Sequence, residues 1–519
     1  MIPAVPNSPV PRREHALSPE EWTEVHRELG VDPAPQDIPS LPTVTLTKEQ
    51  IDDAARALVV NREQHEAFTR QFYAEWDAAV AKVWARRAPV ATVTESAATA
   101  ETRAEVSRLL AELHRIQSEL TSSPYSHDMI ELTLATVISN PLSQTMEWEW
   151  VWLLIVLNPS SDKTQSLAPL RGHPKIIFSD DFTESSFASG FVDPDRGRAR
   201  KQKHRDLLSE IRDTGAIALI VKDLTTLLSG GDDKVRRVLG ALQSIYDGNF
   251  DKSTGTLGRL SYRPAFSFIG AVTPTAFSKH QQYLAQIGNR FLTYRAHPLS
   301  PEDRQAGLDM TWALAGDREK KRALTRRLQE IVHKIVTVLL TTPFALEPES
   351  EDVHERLNQL AMLLRLARAD VQYRATDVWD EEQAQMIRQR VIEFAQIEEP
   401  YRALQQLITL TRCLALLHGR SGITEHELEL ARRVVLSSLP LKWSRVLGCF
   451  RSREAWLTPQ EVSNRVNIAL TWARQTIAEL VYVELLEKEG DAQRWEYRIS
   501  PNFANLIASP IEPMDHLRD

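Results

Sequence analysis

A multidomain chain combining an α/β core with flanking helical regions is predicted by three observations. Four short β-branched runs alternate with helical segments between residues 148 and 298. Apolar residues at three- and four-residue spacing dominate both sides of that stretch. Finally, 519 residues exceed what one hydrophobic core usually organises, so about two to four folding units are expected.

Composition narrows the class. Charged residues make up 25% and the hydrophobic set 42%, a balance that predicts a folded globular protein rather than a disordered one. A net charge of -8 means that any nucleic-acid surface must be a local patch. With Cys413 and Cys449 as the two cysteines, no disulfide framework can be built, and a reducing, cytoplasmic setting is expected. The most apolar run, residues 150–157, is about half the length a bilayer crossing needs, so no membrane partner is expected.

Taken in chain order, residues 1–46 are proline-rich and read as an extended, disordered tail. Residues 47–145 form an N-terminal helical region. Its first helix carries Ile51, Ala54, Leu58, Phe68, Phe72, Trp76 and Val80, and its second runs over 101–120, as a packing or oligomerisation arm would. Residues 146–298 are the α/β core, with strands expected at 151–157, 175–178, 216–221 and 265–272. The polar loops at 158–164, 180–183, 222–226 and 273–275 then share the rim where open α/β sheets bind ligands. Residues 299–439 read as helical throughout, with long amphipathic stretches at 318–340, 353–371 and 381–395. Residues 440–507 read as three helices and a paired strand, the order of a winged helix, before a tail at 508–519.

The loop after the first core strand carries the most chemistry. Asn158, Pro159, Ser160, Ser161, Asp162, Lys163 and Thr164 stand where backbone N–H groups would cradle phosphate at a helix start. Lys163 would neutralise phosphate charge and the Thr164 hydroxyl would ligate magnesium. Leu157 and Asp162 occupy the places where glycines usually allow close approach, and the Asp162 carboxylate adds repulsion. Nucleotide binding and a retained scaffold without it are both open readings.

Further along, residues 250–264 (FDKSTGTLGRLSYRP) have the alternation and central glycine of a hairpin. Together with ALIVKDLT (218–225), FIGAVTPTA (268–276), IGNRF (287–291) and the helical run 398–435, the stretch from 146 to 439 resembles AAA+ ATPases. The resemblance is to bacterial and mobile-element relatives of the minichromosome maintenance helicases. It implies an AAA+-like P-loop α/β core, a helical lid and a C-terminal winged helix, with ATP and Mg2+ as cofactors and a homo- or hetero-oligomer as the working form. By the same resemblance Asp223 would join Thr164 on magnesium, although Lys222 fills the preceding acidic place. Thr273 would orient water, Arg290 (with Arg295 second) would enter a neighbouring subunit's site, and Arg402 would face nucleotide from the lid. Lys252, Arg259 and Arg263 of the hairpin would contact DNA phosphates, unless the hairpin is an ordinary surface one.

In the last segment Thr458 caps one helix, a turn at Asn467 follows, and Val462, Val466, Ile477, Leu480 and Val483 are the expected core. Thr471, Arg474 and Gln475 would then be free to reach a DNA groove, flanked by Arg494 and Arg498 from the wing. Acidic residues nearby, including Glu484, Glu487, Glu489 and Asp491, leave protein docking as an alternative. Two functions follow: a DNA-associated ATPase or helicase-like motor, or a catalytically inactive relative serving as a DNA-binding or assembly subunit. A metal enzyme built on histidine is disfavoured because His280, His297 and His418 lack paired ligand spacing.

Overall fold

Burial at every position, with alternate residues on opposite faces, explains how the inner core strands assemble. In chain order the strands are β1 (Trp152–Val156), β2 (Ile176–Ser179), β3 (Ala218–Val221), the hairpin β4 (Phe250–Thr254) and β5 (Gly258–Tyr262), then β6 (Ser267–Val272) and β7 (Phe291–Arg295). They come from a computed structural model that describes residues 97–508, apart from 147–148, 159–165, 181–183, 189–205, 229, 255–257, 280–289, 297–298, 343–345, 381–384, 451–455 and 492–493. The tail and the first predicted helix of the N-terminal region lie outside these residues.

Five strands form one parallel sheet in the order β2-β3-β6-β1-β7. Leu153, Ile155, Ile220 and Ile269 enter the core on one face, while Trp152, Leu154, Leu219 and Phe268 enter the core on the other. A sheet covered on both sides needs apolar residues at every position, which is why its strands read as unbroken apolar runs.

The helices flanking the sheet are α1 (Ala97–Leu120), α2 (Ser126–Met146), α3 (Leu207–Thr214), α4 (Asp232–Tyr246), α5 (Arg318–Thr341), α6 (Glu351–Ala367), α7 (Pro400–Leu417) and α8 (Glu425–Ser437). α3, α4 and the β4–β5 hairpin cover the Trp152 face. α1, α2 and α5 to α8 cover the Leu153 face. On α5, Leu328, Ile331, Val332, Ile335, Val336 and Leu339 are buried at the three- and four-residue spacing visible in the sequence. The Trp152 indole anchors the other side, within 5.1–5.9 Å of the rings of Tyr246, Phe266, Phe268 and Phe291, and its Nε1 donates to the Phe266 carbonyl at 2.8 Å.

The reading of 299–439 as helical throughout is corrected. Between α6 and α7 the chain forms a long antiparallel hairpin, β8 (Asp370–Asp380) and β9 (Gln385–Gln396). Ile387, Val391 and Phe394 fall at helical spacing, which suggested a helix over 381–395. Val391 and Phe394 are 44% and 49% exposed, so these two described residues give no buried stripe to hold a helix there. Pairing with Val371, Tyr373 and Val378, residues that favour strands, decides the outcome. α6 likewise ends at Ala367 rather than reaching Val371. β7 was not foreseen as a strand either.

The last segment contains α9 (Leu441–Leu447), α10 (Pro459–Val466), α11 (Leu470–Tyr482), β10 (Leu486–Asp491), β11 (Arg494–Ile499) and α12 (Pro501–Ala508). Glu461 N–H donates to the Thr458 hydroxyl, and the Glu461 carboxylate accepts from Thr458 N–H at 2.7 Å, a reciprocal cap that starts α10. Asn467, at φ 54°, turns the chain out of α10 toward α11. Val462, Ile477, Leu480 and Val483 are buried as expected, and Val466 is partly so. The described residues all belong to one compact unit. Among the described residues no helix is long and apolar enough to cross a membrane.

Candidate functional site

Strand order singles out one point on the sheet. From β1 the chain crosses past β6 and β3 to β2 at the edge, whereas from β6 it crosses past β1 to β7 at the opposite edge. The two connections part at the carboxyl ends of β1 and β6, a topological switch point where open α/β sheets form a ligand crevice. Leu157 N–H donates to the Val272 carbonyl at 3.0 Å, latching the exit of β1 to the end of β6. Asn158 follows and is exposed. Pro159, Ser160, Ser161, Asp162, Lys163 and Thr164 lie outside the described residues.

Two other predicted residues meet on this rim. Asp223 Oδ1 accepts from Thr225 N–H at 2.8 Å, and Thr273 N–H donates to Thr225 Oγ1 at 3.2 Å. Leu224 N–H bonds the Ala271 carbonyl at 2.7 Å, which seats this turn over the end of β6. Gly270 makes the seat possible, because a Cβ there would lie 2.2 Å from Leu224 Cδ1 and 3.1 Å from Leu154 Cδ2. Gly270→Ala is therefore expected to destabilise the chain by about 1–3 kcal/mol. Urea unfolding measures this, and an unchanged midpoint would show that Leu224 does not pack there.

Lys222, which stands where an acid would complete the magnesium pair, reaches sideways to Asp180 at 2.8 Å, with Arg171 3.6 Å from the same oxygen. The hydrogen bond from Lys222 holds the Asp180 carboxyl below its ordinary range. That end of the rim is thus a carboxylate neutralised by cations.

The predicted arginines occupy other places. Arg290 immediately precedes β7, at the amino-end rim, opposite Asp223 and Thr273. It is buried and grips Asp247 of its own chain, with Nη2 3.0 Å from Oδ2 and Nε 3.3 Å from Oδ1. Arg402, half-buried in the first turn of α7, lies on the same rim. One turn on, Gln406 donates to the Arg290 carbonyl at 2.7 Å and to the Tyr246 hydroxyl at 3.0 Å, and that hydroxyl donates to the Trp150 carbonyl ahead of β1. Neither arginine can face the carboxyl-end rim of its own chain. Arg295 closes β7 and donates to the Ser437 and Leu439 carbonyls, capping the end of α8. Burial lowers its pKa to about 10.

On the β4–β5 hairpin, Arg259 is exposed and pairs with Asp251 at 2.8 Å, Lys252 is half-buried, and Arg263 is exposed with Nη1 3.3 Å from the Tyr262 carbonyl. Thr471, Arg474 and Gln475 are all exposed on α11. Arg498 is less available, since it pairs with Glu487 at 2.8 Å and lies over the Trp456 ring at 4.6 Å. Arg494 opens β11, and its side chain lies outside the described residues. Beside α11 a cavity of about 550 Å³ is lined by Tyr373, Arg390, Lys442, Trp443, Trp472 and Glu479.

His418 stands in a cluster that paired ligand spacing along the chain does not show. Its Nε2 lies 3.1 Å from Glu131 Oε2 and its Nδ1 2.6 Å from Glu427 Oε1, with His426 Nε2 3.5 Å from the same Glu131 oxygen. These groups come from α2, the end of α7 and the start of α8, so ligand spacing along the chain could not reveal them. His280 and His297 lie outside the described residues. Comparison of the chain with known protein families gives no match, and comparison with curated proteins gives none either.

Proposed function

We propose that this chain is a P-loop protein of the AAA+ type that binds ATP with magnesium and acts on DNA as an oligomer. The observation that carries the reading is the convergence of the exits of β1, β3 and β6 at one switch point, with Asp223 and Thr273 hydrogen-bonded through Thr225. On this reading residues 158–164 cradle phosphate there, Lys163 balances its charge, and Thr164 and Asp223 hold magnesium. Arg290 and Arg402 stand on the opposite rim, with Arg290 held by Asp247, so on this reading they would serve a nucleotide only across a subunit interface and only after Arg290 leaves that pairing; the oligomer rests on the family resemblance. α5 to α8 correspond to the lid. α9 to α11 with β10 and β11 correspond to the winged helix, presenting Thr471, Arg474 and Gln475 to DNA.

A second reading, nucleotide or DNA binding without hydrolysis, is favoured by the Lys222–Asp180 pair in place of a second magnesium carboxylate. Leu157 and Asp162 at the glycine positions favour it too. Binding and hydrolysis of ATP, measured with and without DNA on the wild type, Lys163→Ala and Asp223→Asn, separate the two. The motor reading expects DNA-stimulated hydrolysis that falls at least about tenfold in both variants. Binding that Lys163→Ala weakens, without turnover, selects the second reading. A wild type that binds no ATP at millimolar concentration removes the nucleotide from both.

A further inference from the structure

We propose that Glu131, His418 and His426 form a binding site for a divalent transition metal, with zinc as its natural occupant, joining α2 to the corner between α7 and α8. The site shares no residue with the nucleotide rim and does not depend on it.

Ligand type and spacing carry the argument. One carboxylate and two imidazoles offer one ligand atom each, all within 4.8 Å of one another. Around a tetrahedral zinc with bonds of about 2.0–2.1 Å, neighbouring ligand atoms stand about 3.3 Å apart. The two nitrogen-to-Glu131 Oε2 distances, 3.1 Å from His418 and 3.5 Å from His426, bracket that edge. The two rings meet edge to face, with centroids 4.6 Å apart, and so do not stack on each other.

The surroundings are those a metal ligand requires. His418 Nδ1 is 2.6 Å from Glu427 Oε1, so Nδ1 can keep its proton on that carboxylate while Nε2 gives up its own to a metal. Glu427 is itself fixed, accepting from Arg420 and from Thr424 N–H at 2.7 Å and Thr424 Oγ1 at 2.6 Å. On the far side, His114 Nε2 is a buried atom 3.0 Å from Glu131 Oε1 that nevertheless lacks hydrogen-bond alignment. Glu131 and His418 have side chains only 5% and 9% exposed, whereas His426 is 55% exposed and gives the ion a way in. Glu131 sets a full negative charge against a dication, and Glu427 adds part of one, since it is shared with Arg420. A purely nitrogen and oxygen donor set with two imidazoles selects zinc over magnesium or calcium, which prefer oxygen. Three protein ligands leave a fourth position for water or another donor.

The test uses the full chain without an affinity tag, stripped by chelator and titrated with Co2+ and Zn2+ in the absence of nucleotide. One equivalent is expected to bind, with visible cobalt absorption that zinc displaces. His426→Ala, at an exposed position that the fold does not need, is expected to weaken binding at least tenfold. Glu427→Gln is expected to weaken it by about 10–100-fold through His418. His354→Ala, which removes a half-exposed histidine elsewhere, is expected to change nothing. Absence of saturable binding overturns the proposal, as does His426→Ala binding as tightly as the wild type. Because no nucleotide enters the experiment, neither result bears on the P-loop reading.

Discussion

Replacing Glu479 with alanine is expected to cost about 3–5 kcal/mol of unfolding free energy, the penalty for breaking a buried, hydrogen-bonded charge. Its side chain is 1% exposed on α11, and its carboxylate accepts from Trp443 Nε1 at 2.6 Å, from Lys442 Nζ at 2.6 Å and from the Tyr373 hydroxyl. Alanine leaves the buried indole N–H without a partner and removes the counter-charge of Lys442. Burial and the Glu479 carboxylate also push the Tyr373 phenol well above its ordinary pKa, so it is a donor to Glu479 at neutral pH. The three donors come from α9 and β8, so the same carboxylate couples α11 to the long hairpin as well as to its own neighbours. Glu479→Gln keeps an acceptor for Trp443 and is expected to cost less than half as much. Urea unfolding followed by tryptophan fluorescence reads both variants. A loss below about 1 kcal/mol for alanine would mean that water, not Glu479, already satisfies these donors.

Glu479 also shows where sequence reasoning stopped. It falls in a helix whose core positions Ile477 and Leu480 the sequence predicts, yet its burial depends on a hairpin that the sequence reads as helix. α11 was legible because Ala473, Ile477 and Leu480 repeat at helical spacing and Thr458 and Asn467 punctuate the turn before it. β1, β3 and β6 were legible because a doubly covered sheet strand must be apolar throughout. β8 and β9 were not, since an exposed hairpin has no such demand and its Ile387, Val391 and Phe394 imitate a helical stripe. The same division holds at the candidate sites. Asp223 and Thr273 could be placed together because they follow parallel neighbouring strands. Glu131 and His418 could not, because contact between them depends on how α2 packs against α7, which no local spacing encodes.

The histidine cluster makes metal-free stability depend on pH in a direction that can be worked out. Burial opposes a charged His418 ring, but hydrogen bonds to Glu131 and Glu427 outweigh it and raise its pKa from 6.5 to about 9. The folded chain therefore holds this proton more tightly than the unfolded chain does. The stabilisation is complete below pH 6.5 and is lost as pH rises through about 9, an amount on the order of 3 kcal/mol. On the acid side Glu131 and Glu427 are both held low, Glu427 at about 2, although burial works against each. Their contribution is present above about pH 4.5 and disappears on acidification, and it is the same set of ion pairs seen from the other partner, not an added term. The remaining groups around the ring are His114 on α1, His426 on α8 and Arg420 in the turn between α7 and α8. His127, and His173 at about 4, are pushed down by burial, so these two act below pH 6.5, outside the alkaline window. In chelator, the melting temperature is thus expected to fall between pH 6.5 and 9, and His418→Gln to flatten that slope. Zinc should reverse it, because the ion needs the neutral ring that alkali provides, so metal-loaded protein gains stability over the range where metal-free protein loses it. A melting temperature that is level from pH 6.5 to 9 in metal-free wild type would show that His418 is not charged between the two carboxylates.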